Sequence, residues 1–188
     1  MIRCLVLMSA LLAAACQPGD GPAGDPDPVL APDPVLVTVF TDAGEDAAPQ
    51  TGLFDRYALT GPAEGFTLHR LNGLEPGAIT TAYPAGSPAR VWRGPRLSAV
   101  LHAAGASGAG ARLTALDGYA IELSAADIAE HEPILALSAD GEALSLGGLG
   151  PSTLIWPQTY PGPGTETGSA NWVWGVFAVE ALGRSRGE

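Results

Sequence analysis

Residues 79–104 read ITTAYPAGSPARVWRGPRLSAVLHAA. The first four are apolar or β-branched and read as a strand. A Gly/Pro-rich loop follows, carrying Arg90, Arg93 and Arg96 around Trp92. Residues 95–104 are the clearest helix of the chain. Pro95 suits a first turn, Leu97, Val100 and Leu101 recur at helical spacing, and Gly105 supplies the stop. A strand, a cationic loop with an aromatic face and a helix, in that order, make the entrance to a ligand site. Arginine meets phosphate or carboxylate through paired hydrogen bonds, and indole offers a stacking surface. Arg90, Trp92 and Arg93 are therefore the candidate cofactor-binding residues. The same arginines also suit a plainer role, as surface partners of carboxylates, each pair contributing under about 1 kcal/mol. No cysteine or histidine stands in the loop to hold a metal.

Outward from this stretch the pattern is mainly β. Residues 35–40, VLVTVF, form the first strand, and residues 53–59 read as extended. Phe66, Leu68 and Leu71 fall on one side of a strand edge that runs into a short helical turn. Residues 113–123 make a hairpin about Asp117-Gly118, and residues 133–144 make a second about Asp140-Gly141. Ser124, with Asp127 three residues on, caps a short helix. Residues 152–157 are a strand. Residues 171–182, NWVWGVFAVEAL, are apolar on both faces, which predicts a strand buried on both sides or bulged at Gly175. The expected class is α+β, mainly β, with short helices in a single domain over residues 35–182 and a tail over 183–188.

Composition narrows the chemistry. The 188 residues are 46% hydrophobic and 15% charged, enough to bury one core. The net charge of -11 repels phosphate backbones, so nucleic acid is not an expected partner. All nine basic residues are arginine. Without lysine there is no Schiff-base chemistry, Ser-Lys dyad or P-loop. The two cysteines are Cys4 and Cys16. Beyond Cys16 there is no thiol for a disulfide, a metal or a nucleophile.

The N-terminus reads MIRCLVLMSALLAAACQPGDG. Arg3 precedes an apolar run too short to span a membrane, then small residues and Cys16. This resembles a bacterial lipoprotein signal over residues 1–15, departing from the usual pattern at Ala13. It implies lipidation at Cys16, and Gln17 implies delivery to an outer membrane. The other reading is ordinary cleavage after Ala15, releasing a soluble periplasmic protein. Residues 16–34 are rich in Pro, Gly and Asp, with an echo at 27–30 and 33–36, and read as an extended tether.

The order of pieces resembles the molybdopterin-binding domain of the sulfite oxidase family, in its short exported form. The matching stretches are ITTAYPAGSPARVWRGPRLSAVLHAAGA, LTALDGYAIELSAADI, PILALSADGEALSLGGLGPSTLIWP and NWVWGVFAVEAL. The resemblance covers roughly residues 66–182 and implies that family's fold. In cofactor-loaded members a cysteine of the strand-loop segment binds molybdenum. Here that segment offers Thr80, Thr81, Ala82 and Tyr83, and none donates soft sulfur. The residues that match, among them Trp92, Gly94, Leu97, Asp117, Gly118, Tyr119, Gly150 and Pro151, are turn-formers and core fillers.

Other constellations are sparse. His69, His102 and His131 lie far apart. Glu130-His131-Glu132 is a conceivable metal contact, although its place at a helix exit favours solvation. Ser98 and Ser124 lack a Gly-x-Ser-x-Gly context. Trp156, Tyr160, Trp172 and Trp174 flank a Gly/Pro loop and read either as a ligand surface or as a lid on the core.

The sequence thus predicts an exported, lipid-anchored protein carrying a molybdopterin-binding-type domain without its metal ligand, acting as a binding or interaction module for a protein or small molecule. One alternative is an oxidoreductase that holds molybdopterin through pterin contacts alone. Another is a structural envelope lipoprotein without a ligand.

Overall fold

The computed structural model describes residues 33–41, 52–83, 87–157 and 172–183. The signal segment, Cys16, most of the tether, Tyr160 with its loop, and the tail beyond Gly183 lie outside the described residues. The compact unit begins at Asp33, whose carboxylate accepts the His69 N–H at 3.0 Å. That contact ties the start of the domain to the first turn of a helix.

The described residues contain eleven strands and four short helices, 44% strand against 19% helix. The class is therefore α+β and mainly β. The larger sheet has the order β2-β1-β11-β5-β6, with β1 Val35–Phe40, β2 Ala63–Thr67, β5 Gly110–Ala115, β6 Ala120–Leu123 and β11 Val176–Leu182. Only the β1–β11 pairing is parallel. It joins the two ends of the domain at the centre of the sheet. The second sheet runs β3-β4-β8-β9, with β3 Pro76–Ala82, β4 Ala89–Pro95, β8 Ser138–Ala139 and β9 Glu142–Ala143. Strands β7 Ile134–Ala136 and β10 Thr153–Ile155 pair antiparallel as a third ladder.

Both faces of β1 and β11 are covered, which explains their unbroken apolar runs. Val37, Val39 and Val179 face the main core with Trp92, Leu97, Leu101, Leu113, Ile134 and Trp156. Phe40, Phe177 and Ala178 face a smaller cluster closed by Phe54 of α1 Gly52–Arg56 and by Leu59. Phe54 stacks on Phe177 at 5.8 Å and meets Phe40 edge-on at 5.4 Å. Each such ring contributes roughly 1.5–3 kcal/mol on burial.

Several elements depart from the expectation. Residues 53–59 were expected to be extended, yet they open in helix α1. Leu53 and Tyr57, four apart, bring one apolar face onto the second cluster, and the Tyr57 hydroxyl donates to Leu116 O at 3.0 Å. The final strand starts at Val176 rather than at residue 171. Gly175 adopts φ +64, which breaks the extended run, and a bulge follows between Val176 and Ala178. Trp174 makes only an isolated bridge to Thr153. Pro95 closes β4 instead of opening a helix. Helix α3 Leu97–Ala103 starts after Arg96, its first N–H satisfied by Pro133 O at 2.9 Å.

The two hairpins sit where their Asp-Gly pairs predict. Asp140 and Gly141 both take positive φ, 52° and 85°, as a two-residue turn matched to strand twist requires. Ser124 caps α4 Ala125–His131 by accepting the Asp127 N–H at 3.0 Å. Phe66 and Leu71 point inward from β2 and α2 Leu68–Asn72, whereas Leu68 is exposed.

The arginine-rich stretch is a strand and not a loop. Residues 89–95 pair along their whole length with β3, from Ala82↔Ala89 to Pro76↔Pro95. Alternation then decides each side chain's fate. Trp92 turns inward and is fully buried, while Arg93 turns outward. Gly94 permits β7 to pass against β4. A Cβ there would stand 2.0 Å from Leu135 O and 2.8 Å from Ala136 Cα.

Candidate functional site

Arg90, Trp92 and Arg93 do not converge. Arg90 stands near the start of β4, where its Nε donates to the Asp140 carboxylate at 2.9 Å and an Nη donates to Ala139 O at 3.3 Å. Its guanidinium also lies 5.3 Å from the Trp92 ring centroid. Asp140 completes the clamp by accepting the Val91 N–H at 2.8 Å. That backbone donor, followed by Arg90, holds the Asp140 carboxyl below its ordinary value of 3.8. Arg90 therefore fastens the β8–β9 turn to β4.

Trp92 has no accessible face. Its indole N–H donates to Thr81 O at 3.2 Å across the β3–β4 ladder. As folded it supplies core volume and one buried hydrogen bond, with no surface for a planar ligand to stack on. Arg96 bridges Glu75 at 3.4 Å and Glu132 at 2.7 Å, joining the start of α3 to the end of α4.

Arg93 is different. Arg70, Arg90, Arg96 and Arg112 each pair with a carboxylate. Among the described residues Arg93 makes no ion pair. It lines a pocket of about 230 Å³ with Asn72, Ser138, Pro76, Gly77 and Gly94. Ser138 is its direct cross-strand partner on β8, and Asn72 comes from the end of α2. The pocket brings together an exposed, unpaired guanidinium, an amide and a hydroxyl in its lining, in a protein whose net charge is strongly negative. Such a set receives a small oxyanion. Its volume falls below the roughly 300–1,000 Å³ typical of pockets for larger ligands, so it suits a phosphate or carboxylate group and is too small for a whole pterin.

Neither Asn72 nor Ser138 was legible beforehand. Asn72 stands 21 residues before Arg93 in an unremarked helix end. Ser138 carries one usable signal, its place two residues ahead of the Asp140-Gly141 turn, which fixes the face it occupies once the hairpin is known to pair with β4.

The strand end at residues 80–83 is filled by aromatic packing. Tyr83 is buried against Trp172, stacked at 4.3 Å, and tilts toward Trp92 and Trp174 at 6.2 and 6.4 Å. Burial pushes its phenol up to about 12, so it is not a phenolate near neutral pH. Thr81 is buried, and its backbone carbonyl is committed to Trp92. Hydroxyls, an alanine and a protonated phenol do not replace a thiolate, so the residues present do not fit a molybdenum centre. The aromatic loop residues divide. Trp156 and Trp172 belong to the core, while Trp174 is 49% exposed.

The Glu130-His131-Glu132 contact does not assemble. Glu132 leaves the helix with φ 45 and pairs with Arg96, while the His131 ring packs 6.4 Å from Trp156. No group of three His, Cys, Asp or Glu side chains among the described residues is placed to hold a metal ion. No helix among them is long and apolar enough to cross a membrane.

Fold and site together define a mainly β domain that presents one unpaired arginine in a small polar pocket. No protein-family description matches the chain, and no curated protein matches it either.

Proposed function

We propose that this protein is an exported binding module, tethered to a membrane through a lipid on Cys16, that takes a small anionic ligand at Arg93. It carries a molybdopterin-binding-type domain of the sulfite oxidase kind that has exchanged its metal site for aromatic packing. The observation that carries the binding role is Arg93, without an ion pair among the described residues, lining one pocket with Asn72 and Ser138. The family relationship rests on the order of sequence motifs. The loss of the redox centre rests on the donor set at Thr80, Thr81 and Tyr83.

The test is calorimetric titration of the mature protein with inorganic phosphate, acetate and a pterin phosphate. Binding of the small anions, weakened about tenfold or more in Arg93→Ala and unchanged in Arg112→Ala, supports the reading. Equal affinity in the Arg93→Ala protein overturns it. Stoichiometric molybdenum after expression in a cofactor-competent host overturns the loss of the redox centre. Mass spectrometry of the mature N-terminus reports the acyl groups on Cys16, and an unmodified cysteine there rejects the tether.

A further inference from the structure

A second concavity lies on the opposite side of the larger sheet from the main core. It is a groove of about 1000 Å³ between the start of β1, helix α1, residues 146–151 and the start of β11. Its lining is almost wholly apolar, with Val35, Leu53, Leu116, Leu146 and Phe177 among its walls. Two of these are unusually open for their type, Val35 at 55% and Leu146 at 73% exposed. Both side chains keep more than half of their surface in water, and contiguous exposed apolar surface of this kind marks a binding face.

Among the described residues that line the groove, the only charged one is Arg56, at the end of α1. With Arg93 it is one of the two described arginines without an ion pair. Its guanidinium rests 5.8 Å from the Tyr57 ring centroid, and no carboxylate stands among the described residues lining the groove. An apolar trough with one unpaired cation is complementary to a molecule with one apolar chain and one anionic head. We propose that this groove binds a long-chain fatty acid, its chain along Val35, Leu116 and Phe177 and its carboxylate on Arg56. The volume matches the upper range of ligand pockets, about 1,000 Å³, and thus a lipid-sized occupant rather than a small metabolite. Nonionic and cationic amphiphiles share the apolar term but not the ion pair, so the head group is the discriminating feature.

The test uses the mature full-length chain and a fluorescent long-chain fatty acid, with the alcohol and the trimethylammonium compound of the same chain length as competitors. The expected result is saturable one-to-one binding of the acid, displaced about tenfold less well by the alcohol and least by the cation. Arg56→Gln lowers affinity for the acid to that for the alcohol. Leu146→Glu, at an exposed position that leaves the core intact, weakens the acid further than Arg56→Gln does. Circular dichroism confirms that both variants fold. Absence of saturable binding overturns the proposal, as does equal affinity for the cationic compound, which would mark a merely apolar surface. Concentration-dependent dimerisation that abolishes fatty-acid binding also overturns it, by assigning the face to a second copy of the chain. Phosphate binding at Arg93 is measured in the same variants, and its persistence separates failure of this groove from failure of the anion site.

Discussion

Replacing Gly94 by alanine tests the packing that places Arg93. The added Cβ would stand 2.0 Å from Leu135 O and 2.8 Å from Ala136 Cα, both backbone atoms of β7. Ordinary contact begins at 3.4 Å, so β4 and β7 must part by about 1.4 Å (3.4 less 2.0). The Leu137 N–H donates to Arg93 O at 2.8 Å, and the same displacement would stretch that bond to about 4.2 Å, beyond any hydrogen bond. Overpacking costs about 1–3 kcal/mol, and a buried donor or acceptor left unpaired about 1–3 more. Alanine's smaller chain entropy in the unfolded state returns only about 0.4–1 kcal/mol. The expected net loss lies between about 1 and 6 kcal/mol and centres near about 3, a large share of the stability of a domain this size.

Gly77→Ala is the control. There the nearest obstacle is Ile134 Cγ2 at 2.3 Å, a side-chain methyl. Trimming Ile134 to alanine therefore relieves Gly77→Ala, with a favourable coupling above about 1 kcal/mol in a double-mutant cycle. Trimming Leu135 to alanine leaves its carbonyl in place and gives Gly94→Ala no comparable relief. Urea unfolding followed by tryptophan fluorescence measures the native protein and all six variants. A Gly94→Ala protein within about 1 kcal/mol of the native one, or one rescued by Leu135→Ala, refutes the account of β4 against β7.

Three further outcomes are expected. Tyr83 is protonated in the folded protein up to about pH 12, against 10.0 ordinarily; the unfolded chain therefore loses its proton first, and stability falls between those values. Tyr83→Phe removes that part of the alkaline decline, read by denaturation at a series of high pH values, and an unchanged profile contradicts the buried phenol. Asp140 sits below 3.8, so its contribution is present above that value and lost as pH falls through the lowered one. Asp140→Asn keeps the left-handed turn residue and flattens the acid limb of stability, whereas an identical acid limb would deny the clamp to Arg90 and Val91. Ser124→Ala removes the cap on α4 and costs about 1 kcal/mol by urea unfolding; a neutral result would mean that the capping bond to Asp127 contributes nothing.

Local signals carried the hairpins and caps because their causes are local. Asp140-Gly141 and Asp117-Gly118 can adopt positive φ wherever they occur, and Ser124 needs only the N–H three residues ahead. The helix after Pro95 was legible from its spacing, although its first residue was not, since the Leu97 N–H finds Pro133 O only in the folded chain. Helix α1 was missed because five residues give too little period to separate helix from strand. What held it as a helix is Phe54 meeting Phe177, 123 residues away (177 less 54).

By itself the sequence determined a mainly β domain, an acidic surface, a chain without lysine, and a strand end without sulfur. These follow from residue identity and short-range period, which no fold can alter. Tertiary structure alone decided which arginine is free. Arg90, Arg93 and Arg96 are alike in sequence, yet pairing of β4 with β3 and β8 sends Arg90 to Asp140 and leaves Arg93 facing a pocket. Arg96 is held by Glu75, just before β3, and by Glu132, at the end of α4. Partners for a charge come from strands and helices distant in the chain, so only the register of those elements can say whether it is neutralised or left to bind.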